Sequence, residues 1–145
     1  MSLLLQPATS ADQPGVEELL AQCDLVALDA LSQFGEQYVV AREGDQLIGV
    51  AGVEIHGSDG LLRSVAVAGD ARTHGVGRAL VADRIAWARQ RGLHGLYLLT
   101  IGAAGYFPRF GFERVARDSA PDAIASSTEW LTHCPSSAIA MHLRL

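Results

Sequence analysis

Apolar residues follow two different periods along this chain, and the changes of period mark out its elements. Leu3 to Gln6 is a short apolar stretch closed by Pro7. Thr9 or Ser10 then precedes Asp12, Glu17 and Glu18, the composition of a strand leading into a capped helix. Val16, Leu19 and Leu20 give that helix its buried stripe. Tyr38 to Arg42, a polar turn at Glu43-Gly44-Asp45, and Gln46 to Ile55 read as a β-hairpin with a long second arm. A second turn, Gly57-Ser58-Asp59-Gly60, leads into Leu61 to Val67, so three antiparallel strands follow one another. A helical period then runs from about Gly77 to Gly92. Val81, Ile85 and Ala88 form its inner face, while Asp83, Arg84, Arg89 and Gln90 face water. Leu96 to Thr100 is nearly continuous in apolar residues, as a central buried strand is. A short helix around Ala103 to Arg109, a break at Gly111-Phe112 and a last strand near Ala138 to Leu143 complete an α/β order.

Composition narrows the classes. At 145 residues, 49% hydrophobic and 19% charged, the chain is expected to form a single domain over residues 1–145 with its own core. Its net charge of -5 opposes a polyphosphate backbone, which argues against nucleic acid as a partner. Every basic residue other than histidine is arginine, and lysine and asparagine are absent. A lysine-dependent phosphate loop, a Schiff-base lysine and an asparagine-linked glycan are therefore all impossible. Cys23 and Cys134 are too few for a secreted disulfide framework, which points to a reducing cytoplasm. The first residues have no basic region and only a three-residue apolar run, so neither a signal peptide nor a membrane anchor is expected. The histidines (His56, His74, His94, His133 and His142) fall in no metal-ligand spacing, and no metal is expected.

The most informative stretch is Arg72-Thr73-His74-Gly75-Val76-Gly77-Arg78, at the end of a strand and the start of a helix. The first turn of a helix offers unpaired N–H groups and the positive end of its dipole, and glycines let an anion approach the backbone. A dinucleotide fold would need a small residue where Leu80 stands and an acidic one near Gly95. R-x-x-G-x-G is left, an anion-binding loop that needs no lysine.

Together with Tyr106-Phe107-Pro108-Arg109-Phe110-Gly111-Phe112, about thirty residues later, and Val65-Ala66-Val67 before it, this loop makes the sequence resemble the GCN5-related N-acetyltransferases over essentially its whole length. The resemblance implies a mixed, mostly antiparallel sheet splayed between strands 4 and 5, with helices on both faces and acetyl-CoA as co-substrate. The edge at Ala66 and Val67 would pair with pantetheine. The amides from His74 through Gly75, Val76 and Gly77 to Arg78, with Arg72, would hold the pyrophosphate. A neutral amine would attack the thioester directly, with the oxyanion held by backbone N–H near Val67. The family's tyrosine acid aligns with Phe107, one position from Tyr106, and the two residues are rotated by about 100 degrees on a helix. Where some members carry a glutamate base this chain has Leu61, so Glu54, His56 or a water chain is left as proton acceptor.

Further stretches, Leu61 to Val67, Leu96 to Thr100, and the tail Pro121-x-x-Ile124 with Glu129-Trp130, Cys134-Pro135 and Ser137-Ala138, are similar to acetyltransferases linked to arsenic-resistance operons. That subgroup is related to the acetyltransferase domain of N-acetylglutamate synthase. By that likeness Thr100 assists the leaving thiolate, as a rival to Tyr106, and the substrate is the amine of a small amino acid, with an arsenic- or phosphinate-bearing one as the finer expectation. Arg63, on the strand face shared with Val65 and Val67, is the candidate for the substrate carboxylate. The resemblance also implies a homodimer. A catalytically degenerate acyl-CoA sensor or regulatory module would keep the same loop; turnover separates the two.

Overall fold

The computed structural model describes residues 3–23, 35–69, 75–127, 130 and 138–145. Its strands are β1 (Leu3–Ala8), β2 (Gly35–Glu43), β3 (Gln46–His56), β4 (Asp59–Val67), β5 (Gly95–Thr100), β6 (Glu113–Val115) and β7 (Ile139–Arg144). The helices are α1 (Gln13–Gln22), α2 (Val76–Gln90) and α3 (Asp122–Ala125). The strands form one seven-stranded sheet in the order β1-β2-β3-β4-β5-β7-β6. β4 and β5 pair in parallel, while β1–β2, β2–β3, β5–β7 and β6–β7 are antiparallel, the mixed α/β sheet expected. No described helix is long and apolar enough to cross a membrane.

By contacts the chain divides into two compact units, Met1–Val53 with Ser64–Arg84, and Glu54–Arg63 with Ile85–Leu145. In the first, the stripe of α1 (Val16, Leu19, Leu20) packs with Ala8, Tyr38, Val40, Val50 and Ala66. The Thr9 N–H donates to the Asp12 carboxylate at 2.9 Å ahead of α1, and Asp12 also pairs with Arg42. A second cluster joins Val39, Ala41, Ile48 and Ala51 to Val76 and Leu80 of α2. In the second unit Leu61, Ala120, Ile124, Trp130 and Ala140 make the core. Tyr97 meets Trp130 edge-on at 6.1 Å and His142 at 4.5 Å.

Four features depart from the hydrophobic pattern. β1 runs through Pro7 to Ala8, which an outermost strand tolerates because it need not donate on both sides. Arg84 does not face water. It is buried, and its Nη1 donates to the Glu36 and Gln37 carbonyls at 2.6 and 2.9 Å, tying α2 to the start of β2. Burial pulls its pKa down and the Asp83 carboxylate beside it opposes that pull. The helix expected over Ala103 to Arg109 is a single 3₁₀ turn, Phe107–Phe110, opened by Pro108 and ended by Gly111 at φ 100. β6 and α3, three and four residues long, carry no period that a sequence reading can detect.

Candidate active site

β4 does not stay extended. Ser64 has a φ of 57, the only left-handed value outside glycine among the described residues, and gives the strand the local turn that a bulge makes. Such a conformation costs about 1–3 kcal/mol and persists where the surroundings fix it. Here the Ser64 hydroxyl lies 3.3 Å from the Tyr38 hydroxyl inside the core. The Tyr38 ring fits only because residue 52 is glycine: a Cβ there would come within 2.5 Å of its Cζ. Beyond the turn Ala66 is buried, Val65 and Val67 are half-buried, and the Ala68 N–H donates to the Ile48 carbonyl at 2.8 Å. The Cys23 thiol reaches the Val67 carbonyl at 3.8 Å.

Arg72 and His74 lie outside the described residues. The rest of the loop leads into α2. Gly75 is exposed with a φ of 76, and a Cβ added there would meet no heavy atom of the described residues within 4 Å. Val76 is buried against Leu80 and Ile48, which anchors the first turn, while Arg78 is exposed. A fifteen-residue helix begun by an open glycine, a second glycine and an arginine suits a pyrophosphate by charge and by access. The described residues therefore fit coenzyme A. Ala66, Val67 and Gly75 to Arg78 all belong to the first unit.

The second unit holds the remaining site residues. The parallel β4–β5 ladder has two pairs, Gly60–Leu96 and Leu61–Tyr97, and ends there, whereas the antiparallel β5–β7 ladder runs from Gly95–Arg144 to Thr100–Ile139. Leu61 is fully buried in the core, which explains an apolar residue at that position. The sequence assigned Arg63 to a substrate carboxylate and Glu54 to proton transfer; the structure joins them to each other. Arg63 is only 3% exposed, and its Nη1 donates to Glu54 Oε2 at 2.7 Å. Glu54 Oε1 lies 2.9 Å from His56 Nε2. Burial pushes the Glu54 carboxyl up, but the His56 hydrogen bond and the charge and hydrogen bond of Arg63 outweigh it and hold the group below its usual range.

Thr100 closes β5 and is buried, and its hydroxyl has no hydrogen bond among the described residues. Tyr106 and Phe107 are indeed turned apart. Phe107 is buried against Phe112 at 5.8 Å, whereas Tyr106 is half-buried rather than a core residue, with the Arg109 guanidinium 4.2 Å over its ring. The opposite face of β5 carries Tyr97, whose pKa burial raises, with Asp59 adding to the rise. Sequence reasoning missed the Tyr38–Ser64 pair and the Arg63–Glu54 pairing. Alternation on neighbouring strands was the available signal for the second; no signal existed for the first. Among the described residues no three of His, Cys, Asp and Glu gather as metal ligands do. Cys134 is outside the described residues.

The acetyltransferase (GNAT) family model matches residues 3–112. No curated protein sequence matches. Among solved structures, N-acetylglutamate synthase from Neisseria gonorrhoeae, complexed with coenzyme A and N-acetyl-glutamate, superposes with a TM-score of 0.87 at 19% identity. That match covers 100% of this chain and 35% of the synthase, so the chain spans about a third of that protein. Rv2747 from Mycobacterium tuberculosis, in complex with CoA and NLQ, gives a TM-score of 0.80 at 22% identity over 98% of this chain and 99% of its own. The ribosomal-protein-S18-alanine N-acetyltransferase from Escherichia coli gives 0.76 at 19% identity, over 99% and 94%. At these identities the likeness speaks for the fold.

Proposed function

This chain belongs to the acetyltransferase (GNAT) family, whose members use acetyl-CoA, and from that premise we propose that it acetylates the amine of a small amino-acid-like substrate as a single domain over residues 1–145. The observation that carries the cofactor reading is the left-handed turn at Ser64, followed by Ala66 and Val67 and by the open glycine start of α2. When bound, acetyl-CoA supplies an activated thioester; the chain supplies binding, alignment and proton handling. Ala66 and Val67 align the pantetheine through their backbone. Gly75, Val76, Gly77 and Arg78 hold the pyrophosphate, with Arg72 and His74 completing the loop. Thr100 is the donor to the departing thiolate, supported by its buried hydroxyl without a hydrogen-bond partner among the described residues, and Tyr106 is its rival.

The amine is an α-amine by reactivity: with a pKa near ~8 it is far easier to deprotonate than a lysine near ~10.4. The synthase complex holding N-acetyl-glutamate, and the name of the alanine N-acetyltransferase, support an amino-acid acceptor. An arsenic- or phosphinate-bearing amino acid is the finer form of this reading, and the working protein is a cytoplasmic homodimer that engages neither nucleic acid nor membrane. The test is thiol release from acetyl-CoA against a panel of amino acids, phosphinothricin-like compounds, polyamines and a histone-type peptide. Turnover with an amino-acid-like amine establishes the substrate class. Turnover with the peptide or the polyamines alone refutes it, and silence together with no thermal shift by acetyl-CoA refutes the cofactor reading as well.

A further inference from the structure

Resting on the coenzyme reading above, we propose that Gly49 of β3 is a positioning residue for coenzyme A: its missing side chain sets the spacing between the backbone edge at Ala66 and Val67 and the first turn of α2. Glycine weakens the interior of a strand and marks a close approach, and β3 holds this one at a buried position. Gly52, on the same strand, makes room for the Tyr38 ring; Gly49 makes room for something else. A Cβ at residue 49 would come within 2.7 Å of Leu80 Cδ1, 3.1 Å of Val76 Cγ1 and 3.4 Å of the Ala66 carbonyl oxygen. The first two atoms belong to the start of α2 and the third to the backbone of β4. One absent methyl group therefore lies between the two elements that the coenzyme would meet, and all of these residues belong to the first compact unit.

Coenzyme A is a ligand with two linked anchors, a pantetheine that pairs with a backbone edge and a pyrophosphate that meets helix amides. Linkage multiplies their affinities only when the spacing of the two sites fits the spacing in the ligand. Here that spacing is set by packing. Val76 and Leu80 sit on Val39, Ala41, Ile48 and Ala51, and Ala41 is the β2 partner of Gly49. The Ala68 N–H donates to the Ile48 carbonyl at 2.8 Å, which holds the end of β4 to the residue beside Gly49. A close-packed interior has no empty space to absorb another methyl group. The end of the Leu80 side chain can turn aside, whereas Val76 is β-branched and buried and the Ala66 oxygen is main chain. Relief at those two atoms shifts the helix start against the β4 edge by a few tenths of an ångström. Each anchor stays intact; the distance between them changes.

The experiment is calorimetric titration with CoA and with ADP, which carries a pyrophosphate and no pantetheine, on wild-type protein, Gly49→Ala, Leu80→Val and the double variant. Leu80→Val removes the closest atom and keeps the approaches to Val76 and Ala66, so the double variant carries the test if Gly49→Ala alone does not fold. Gly49→Ala is expected to weaken CoA binding by about 10-fold or more in either background while ADP binding stays within about threefold. A packing role alone would lower the melting temperature and leave the ratio of the two affinities unchanged. CoA affinity within about threefold of its background, or parallel losses for CoA and ADP, overturns the inference alone. Wild-type protein that binds CoA but not millimolar ADP overturns the assignment of the pyrophosphate to the start of α2, and this inference with it. Wild-type protein that binds neither overturns the coenzyme reading itself.

Discussion

Replacing Arg63 by methionine keeps most of the side-chain volume and removes the cation that neutralises Glu54. Both side chains are almost inaccessible, 1% and 6%, so solvent does not screen the pair as it would at the surface. Breaking a buried pair by deleting one partner costs about 3–5 kcal/mol, and His56 keeps one hydrogen bond to Glu54, which places Arg63→Met near the lower end, about 3 kcal/mol. The sign of the pH dependence follows from the direction of the Glu54 shift. Its folded pKa lies below the unfolded one, so its contribution is complete above the unfolded value and is lost as pH falls through the folded value. The deficit of Arg63→Met should therefore be largest at neutral pH and shrink in acid, where Glu54 is protonated in the variant. Urea unfolding followed by tryptophan fluorescence, at neutral pH and in mild acid, measures both numbers. The double variant Arg63→Met/Glu54→Gln should recover the part of the loss that comes from the stranded Glu54 carboxylate. A deficit under about 1 kcal/mol, the scale of an exposed pair, or one that is the same in acid, would refute a desolvated ion pair here.

Other outcomes follow from the same geometry. Gly52→Ala drives a methyl group into the buried Tyr38 ring and should destabilise by about 1–3 kcal/mol or more, read as a lower urea midpoint. Ser64→Gly relieves the left-handed backbone but loses the Tyr38 contact, two effects of about 1 kcal/mol that nearly cancel, whereas the β-branched Ser64→Val should cost about 2 kcal/mol or more. Thr100→Val should lower kcat by about 100-fold or more while Tyr106→Phe stays within a few-fold; the opposite pattern assigns the leaving-group proton to Tyr106.

The helical stripe Val81, Ile85 and Ala88 and the apolar run Leu96 to Thr100 were legible because burial on one face writes a period into the sequence. The glycine loop was legible because backbone access to an anion demands small residues in fixed order. Arg84 was misplaced since an arginine that satisfies backbone carbonyls in the interior looks, in a sequence, like one that faces water. Arg63 and Glu54 were both singled out, yet for separate tasks. Their pairing depends on which side chains two neighbouring strands turn toward each other, and a single chain of letters carries that only as alternation. The Ser64 turn had no signal at all, because left-handed backbone is usually marked by glycine or asparagine and here a tyrosine from another strand holds it.

The two rims of the sheet are built against recruitment of further strands. On one rim β1 includes Pro7, which has no N–H to offer, and the register shifts between Pro7 and Ala8; on the other, β6 is only three residues long. Growth of the sheet by adding a strand from another molecule needs a long, regular row of donors and acceptors, and neither rim supplies one. The chain can thus keep an exposed leucine, Leu4, on its outermost strand without templating aggregates, and self-association through sheet faces or helices is favoured over edge-to-edge pairing.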